Sequence, residues 1–123
     1  MPRPVLSAVF SALFSGALLL APVAARAHAI LLSSVPEAGG VAASGQVAME
    51  FHFNSRIDHA RSRLTLTAPD ESQTVLPLVA DTAPDVLRTS ADLKPGAYAV
   101  RWQVLAVDGH ITRGDVPFVV KEH

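Results

Sequence analysis

A segment of strictly alternating apolar and polar residues constrains this chain more than any other feature. Residues 46–53 place one set of apolar side chains at alternate positions, namely Val47, Met49, Phe51 and Phe53, with Ala48, Glu50 and His52 between them. Successive side chains of a strand point to opposite faces, so the pattern predicts a strand with one buried face. No segment with a convincing helical period competes with it, which favours an all-β fold.

Further strand candidates follow at short intervals. Residues 97–107 form a second long candidate that places Tyr98, Val100, Trp102 and Val104 on one face. Weaker candidates span residues 29–34, 62–67, 74–79, 86–90 and 116–120, and turn residues separate them at 36–40, 69–70, 84–85, 95–96 and 108–109. About seven short strands with such turns predict an antiparallel two-sheet sandwich with Greek-key connections. We expect Trp102 to pack between the sheets with Phe51, Phe53 and Phe118.

The first 27 residues have the pattern of a cleaved secretory signal peptide. Arg3 precedes an apolar run from Val5 to Leu20, and Ala25-Arg26-Ala27 is a small-x-small cleavage site. The alternative is a membrane anchor, but the run is shorter than the ~20 residues needed to span a bilayer. No later segment is apolar enough to span, so we expect a soluble mature domain of residues 28–123.

The composition of the mature chain excludes several classes of site. The chain has no cysteine, so neither a disulfide framework nor a thiolate ligand is available. Loss of Arg3 and Arg26 would leave eight basic residues against eleven acidic ones. This mild acidity, without a basic cluster, argues against nucleic acid as a partner.

Two histidines and an aspartate occupy positions from which they could bind a metal ion. Cleavage after Ala27 would make His28 the first residue, with its α-amine and ring Nδ1 both free to chelate one ion. Asp108 and His110 are two positions apart and can point to one side of an extended segment, with Gly109 between them. Nitrogen and oxygen ligands at the corners of a square suit Cu(II).

Each of these signals also has a structural interpretation. Asp-Gly is a common hairpin turn, so Asp108-Gly109-His110 by itself more often means a turn followed by a surface histidine. A histidine after the cleavage site can likewise arise by chance. The residues alone therefore leave a copper site and a plain turn about equally favoured.

The mature chain resembles the CopC family of periplasmic copper-binding proteins over nearly all of residues 28–120. The opening His28 to Gly39, with its Ser-x-Pro element, is similar to the family's first strand, and Asp108-Gly109-His110 followed by Gly114 and residues 118–120 is similar to its C-terminal signature. The segments 47–53, 93–98 and 102–104 also fit the family's strands.

This resemblance implies a particular fold, site and role. It implies an immunoglobulin-like sandwich and one Cu(II) ion held by His28, Asp108 and His110. It further implies a periplasmic carrier or buffer, not an enzyme, that exchanges copper with an inner-membrane transporter of the CopD type or another periplasmic copper protein. Some members bind Cu(I) at a methionine-rich site, but Met49 is the only methionine after Met1, so we expect no strong Cu(I) site.

Two other functions remain open at this point. A copper-dependent oxidative enzyme, such as a lytic polysaccharide monooxygenase, also uses an N-terminal histidine paired with another histidine. A metal-free structural sandwich would use neither residue, because sandwiches host many functions. The remaining histidines favour other roles: His52 hydrogen-bonds or is exposed beside Glu50, His59 lies in a solvated connection, and His123 is terminal.

Overall fold

The computed structural model describes residues 28–122, so the predicted signal peptide and His123 lie outside the described part of the chain. Nearly all of the regular structure is β. The strands are β1 (Leu31–Val35), β2 (Gly40–Ala43), β3 (Gly45–Phe53), β4 (Arg63–Thr67), β5 (Gln73–Leu76), β6 (Val86–Leu93), β7 (Gly96–Leu105) and β8 (Ile111–Lys121). A single turn of 3₁₀ helix, His59–Arg61, precedes β4. No helix in this part of the chain is long and apolar enough to cross a membrane.

The strands form two sheets. One has three strands in the order β1-β3-β6, and the other has five in the order β2-β8-β7-β4-β5. Neighbouring strands are antiparallel except for β2, which pairs with β8 in parallel. The chain changes sheet five times, and these crossings produce the two-sheet sandwich that the sequence predicts.

The alternation in β3 positions the core as predicted. Val47, Met49, Phe51 and Phe53 are each at most 5% exposed, and Val100, Trp102 and Val104 of β7 are buried opposite them. Tyr98 is only half-buried, because it lies near the end of the sandwich. Burial of these large apolar side chains is the main stabilising contribution to a domain that has no cysteine.

Trp102 packs between the sheets, as predicted, with its ring at an edge angle to Phe53 and ring centroids 5.4 Å apart. Gly114 of β8 pairs with Trp102, and a Cβ at Gly114 would lie 2.6 Å from the indole ring. The indole therefore occupies the space that a side chain at Gly114 would need. Phe118 belongs to the same core but stacks on Tyr98, with centroids 5.9 Å apart.

The structure corrects two strand predictions. The first correction is that β2, an edge strand of four residues, was not among the predicted strands. It begins at Gly40, the last residue of the turn predicted over residues 36–40. The candidate at 116–120 is only the second half of β8, which begins at Ile111, directly after the predicted copper ligand His110. Thr112, Arg113 and Asp115 interrupt the apolar pattern there, so pairing with β7 and not hydrophobicity extends the strand.

Candidate metal centre

A tight turn between β7 and β8 carries two of the predicted ligands. The backbone N–H of Ala106 donates to the carbonyl of His110 over 2.9 Å, and that of Gly109 donates to the carbonyl of Ala106 over 3.0 Å. Gly109 has φ +90°, a conformation that glycine adopts without the steric cost that a Cβ would impose. The hairpin interpretation and the ligand interpretation of Asp108-Gly109-His110 are therefore compatible.

Within this turn, Asp108 and His110 contact each other directly. Asp108 Oδ1 accepts from the backbone N–H of His110 over 3.1 Å, and its Oδ2 lies 2.8 Å from the imidazole Nδ1 of His110. The backbone hydrogen bond from His110 is the largest factor that lowers the pKa of the Asp108 carboxyl, and the imidazoles of His110 and His28 act in the same direction. The carboxylate is thus favoured as an anion, the form in which it binds a cation.

Hydrogen bonds attach the two residues that follow His28 to the start of β8 and to the end of β3. The hydroxyl of Thr112 donates to the carbonyl of Ala29 over 2.7 Å, and Ala29 is fully buried. Asn54 forms hydrogen bonds with both backbone groups of Ile30. Its side-chain Oδ1 accepts from the N–H of Ile30 over 2.8 Å, and its backbone N–H donates to the carbonyl of Ile30 over 3.0 Å.

Thr112 and Asn54 did not emerge from sequence reasoning as residues of the site. Both are ordinary polar residues, and nothing in their sequence neighbourhood relates them to residues 29 and 30. Only the packing of residues 28–30 against the end of β3 and the start of β8 identifies their role.

These attachments bring His28 to the turn. Single ligand atoms of His28, Asp108 and His110 all lie within 4.8 Å of one another, and all three residues are exposed. The rings of His28 and His110 contact at an edge angle, with centroids 4.5 Å apart. The structure therefore brings together all three predicted site residues.

The donor set and its spacing suit a small divalent ion. Protein nitrogen and oxygen ligands bind first-row metals at about 2.0 Å, so donors at adjacent corners of a square lie about 2.8 Å apart and opposite donors about 4.0 Å. The 2.8 Å hydrogen bond between His110 Nδ1 and Asp108 Oδ2 shows that these two side chains are already adjacent. The candidate ligand atoms of all three residues lie within 4.8 Å of one another, which is slightly more than the distance of about 4.0 Å between opposite donors of such a square. Small rotations of the side chains would bring them to that distance.

The other histidines within residues 28–122 lie apart from this cluster. His52 Nε2 is 3.1 Å from Glu50 Oε1, and Arg88 Nε is 3.2 Å from the same oxygen, which confirms the predicted neighbourhood of His52 and Glu50.

His59 differs from the solvated connection predicted for it. It is half-buried, and its Nε2 lies 2.8 Å from the carbonyl oxygen of Val86 and 3.1 Å from the hydroxyl of Thr82. The 3₁₀ turn directs the ring against the start of β6, so this histidine has a structural role.

Comparisons with known proteins identify the family of the chain. A sequence model of the CopC domain matches residues 31–121. Copper resistance protein C of Escherichia coli is 30% identical over 126 residues, covering 94% of this chain and 100% of the relative. Protein YobA of E. coli K12 is 32% identical over 99 residues, covering 77% of this chain and 80% of the relative.

Two solved structures share the fold. The crystal structure of CopC from Methylosinus trichosporium OB3b aligns with a TM-score of 0.71 at 24% identity, over 78% of this chain and 96% of that one. PcoC, a methionine-rich copper resistance protein from E. coli, aligns with a TM-score of 0.63 at 25% identity, over 77% of this chain and 100% of that one.

Proposed function

The chain belongs to the CopC family, and we propose that it is a periplasmic carrier or buffer that binds one Cu(II) ion through His28, Asp108 and His110. The observation that carries this proposal is the convergence of these three side chains, from two distant parts of the sequence, within 4.8 Å. A relative that covers most of the chain is itself a copper resistance protein, which supports copper as the ion.

The proposal depends on removal of residues 1–27. In the uncleaved chain, the backbone nitrogen of His28 belongs to a peptide bond, which is a poor ligand. Cleavage after Ala27 would convert it into an amine, and the amine and ring Nδ1 would then close a chelate at one corner of the site. Export and assembly of the site would thus be one event.

The exposed position of the site suits capture and release. All three ligand residues are accessible from solvent, and the Thr112 and Asn54 hydrogen bonds hold the chain start in place before metal arrives. Imidazole and amine bind metal only in their neutral forms, so we expect affinity to fall as pH drops through their titration. Release would follow from acid, from a competing ligand or from reduction to Cu(I). The receiver we propose is an inner-membrane transporter of the CopD type or another periplasmic copper protein.

A carrier fits the surroundings of the site better than an oxidative enzyme. Asp108 would occupy a coordination position that activation of oxygen needs open. The aromatic side chains within residues 28–122 are also unavailable as a binding platform for a polysaccharide. Phe51, Phe53, Trp102 and Phe118 are in the core, and Tyr98 is half-buried against Phe118.

The test is a Cu(II) titration of protein that begins at His28, followed by electron paramagnetic resonance. A matched protein with one extra residue before His28 retains every side chain but lacks the amine. We expect one stoichiometric site with nitrogen hyperfine structure, weakened at least tenfold by the extra residue and by His110→Ala. His52→Ala, which changes a histidine outside the cluster, serves as the control and should leave affinity unchanged.

Three results would contradict the proposal. Equal binding with and without the extra residue would remove the amine from the ligand set. Loss of binding in His52→Ala would move copper to the opposite sheet. Oxidation of a polysaccharide by the copper-loaded protein with peroxide would replace the carrier with an enzyme.

A further inference from the structure

The outer face of the five-stranded sheet carries a concentration of arginines that the copper site does not use. Side chains of β4, β5, β7 and β8 line a depression of about 680 Å³ on this face. Arg63, Arg101 and Arg113 all line it, although residues 28–122 contain only eight basic residues against eleven acidic ones. A mildly acidic domain therefore presents one locally basic surface.

The register of the sheet places these arginines in two neighbouring rows. Arg63 of β4 pairs with Gln103 of β7, which pairs in turn with Arg113 of β8. Neighbouring strands are about 4.8 Å apart, so the two arginine backbones are separated by about 10 Å, with an amide side chain between them. In the next row, Arg101 pairs with Asp115.

The carboxylate of Asp115 is paired with Arg101 in the second row, so Arg63 and Arg113 in the first row have no counter-charge within the depression. Asp115 is the one carboxylate that lines the depression, and its two oxygens accept from Nε and Nη2 of Arg101, each over 3.0 Å. Within residues 28–122, neither Arg63 nor Arg113 forms an ion pair. Two guanidinium groups on the rim of the depression are thus free to bind an anionic ligand.

We infer that this arginine face, defined by Arg63, Gln103 and Arg113, is a docking surface for an acidic segment of a partner protein. Guanidinium groups pair with carboxylates in two-pronged hydrogen bonds. Carboxylates at alternate positions of an extended segment are about 7 Å apart on one face, and the long arginine side chains can converge on them from backbones about 10 Å apart. Gln103 between the two arginines, and Thr65 in the neighbouring row, offer hydrogen bonds to the backbone of this segment. A concave surface also fits a chain segment better than the flat plane of a lipid bilayer.

This surface is contiguous with the proposed copper site but independent of it. Arg113 lies on the strand that follows His110 and is three residues from it, so a partner on this face would reach the metal-binding turn. None of the residues of the arginine face is a proposed ligand. The inference can therefore be tested on metal-free protein, whatever the outcome for copper.

The test is a nuclear magnetic resonance titration of the metal-free domain at low ionic strength. The probe is a ten-residue peptide of alternating Glu and Ser, and the comparison peptide replaces each Glu with Gln. We expect shifts of the Arg63 and Arg113 Nε–H signals and of the β7 and β8 amides, with the acidic peptide only. The affinity should fall at least fivefold in Arg63→Gln/Arg113→Gln and should decrease with added salt.

The matched control is Lys94→Gln/Lys121→Gln, which removes the same charge from exposed positions outside the depression. It should change affinity less than twofold, and the single variants R63Q and R113Q should each show an intermediate loss. Equal loss in the control, or no binding by the wild type, would overturn the inference. Equally tight binding of inorganic phosphate, or of phosphatidylglycerol vesicles, through the same arginines would also overturn it, because it would assign the face to a different ligand.

Discussion

The hydroxyl of Thr112 donates a hydrogen bond to the backbone carbonyl of Ala29, and this bond joins residues 83 positions apart in the sequence. It connects the segment that precedes β1 to the beginning of β8. The proposed ligands His28 and His110 each lie within two residues of this bond. The bond therefore helps to set the distance between the two parts of the proposed copper site.

Thr112→Val should weaken Cu(II) binding about three- to tenfold. The substitution keeps the shape of the side chain but removes a hydrogen bond worth about 0.5–1.5 kcal/mol, which leaves the carbonyl of the buried Ala29 without its partner. Competition titration of protein beginning at His28 measures the effect. Thr112→Ser should retain affinity, and Thr74→Val on exposed β5 serves as the control. Unchanged affinity in Thr112→Val would show that the chain start needs no anchor at this point.

Gly114→Ala should destabilise the domain by about 1–3 kcal/mol. The new Cβ would lie 2.6 Å from the indole of Trp102, so the ring or β8 must shift in a well-packed core. Urea unfolding followed by the fluorescence of Trp102, the only tryptophan, gives the free energy of unfolding. Ser90→Ala on the exposed side of β6 should have little effect. A stable Gly114→Ala protein would mean that the indole moves more freely than its packing indicates.

Met49→Leu should alter neither copper binding nor, by more than about 1.5 kcal/mol, the stability. Met49 is 2% exposed and packs within the core, so its sulfur cannot reach an ion without unfolding of β3. We therefore expect only weak Cu(I) binding in both proteins, measured by competition with a cuprous chelator. A tight Cu(I) site in the wild type that Met49→Leu removes would place copper inside the sandwich.

The ion pair between Arg101 and Asp115 should contribute to stability only above acidic pH. Its hydrogen bonds lower the pKa of Asp115 below the ordinary value of 3.8. The contribution is therefore fully present above that value and is lost as pH falls through the folded-state pKa. The free energies of unfolding of wild type and Asp115→Asn should differ only slightly at pH 6, because exposed ion pairs contribute little. They should converge as the pH falls through the lowered pKa of Asp115.

The control for that comparison is Asp92→Asn on β6, because Asp92 forms no ion pair within the described residues. Its difference from the wild type should not follow the same pH profile. A difference for Asp115→Asn that persists unchanged to pH 2 would contradict a role for the carboxylate charge.

Local patterns were sufficient for the parts of the molecule that depend on neighbouring residues. The alternation of β3 and β7 predicted which side chains are buried, because a strand has a period of two whatever its partners. The turn at Gly109 was equally visible, since its hydrogen bonds involve residues 106–110 only. Resemblance to the CopC family, added to the chemistry of His28, Asp108 and His110, led to the prediction of a Cu(II) site at these residues.

The features that sequence patterns did not predict depend on contacts between distant parts of the chain. The edge strand β2 has few β-branched residues and exists because it pairs with the end of β8, and the polar first half of β8 is extended by β7. Asn54 and Thr112 acquire their roles only where the chain start packs against them, and Arg63 and Arg113 meet on one face only through the register of three strands. Sequence alone determined the local chemistry of each strand and of the turn, because those depend on the order of adjacent residues. The tertiary structure decided which distant residues became neighbours, because that depends on how two buried faces pack together.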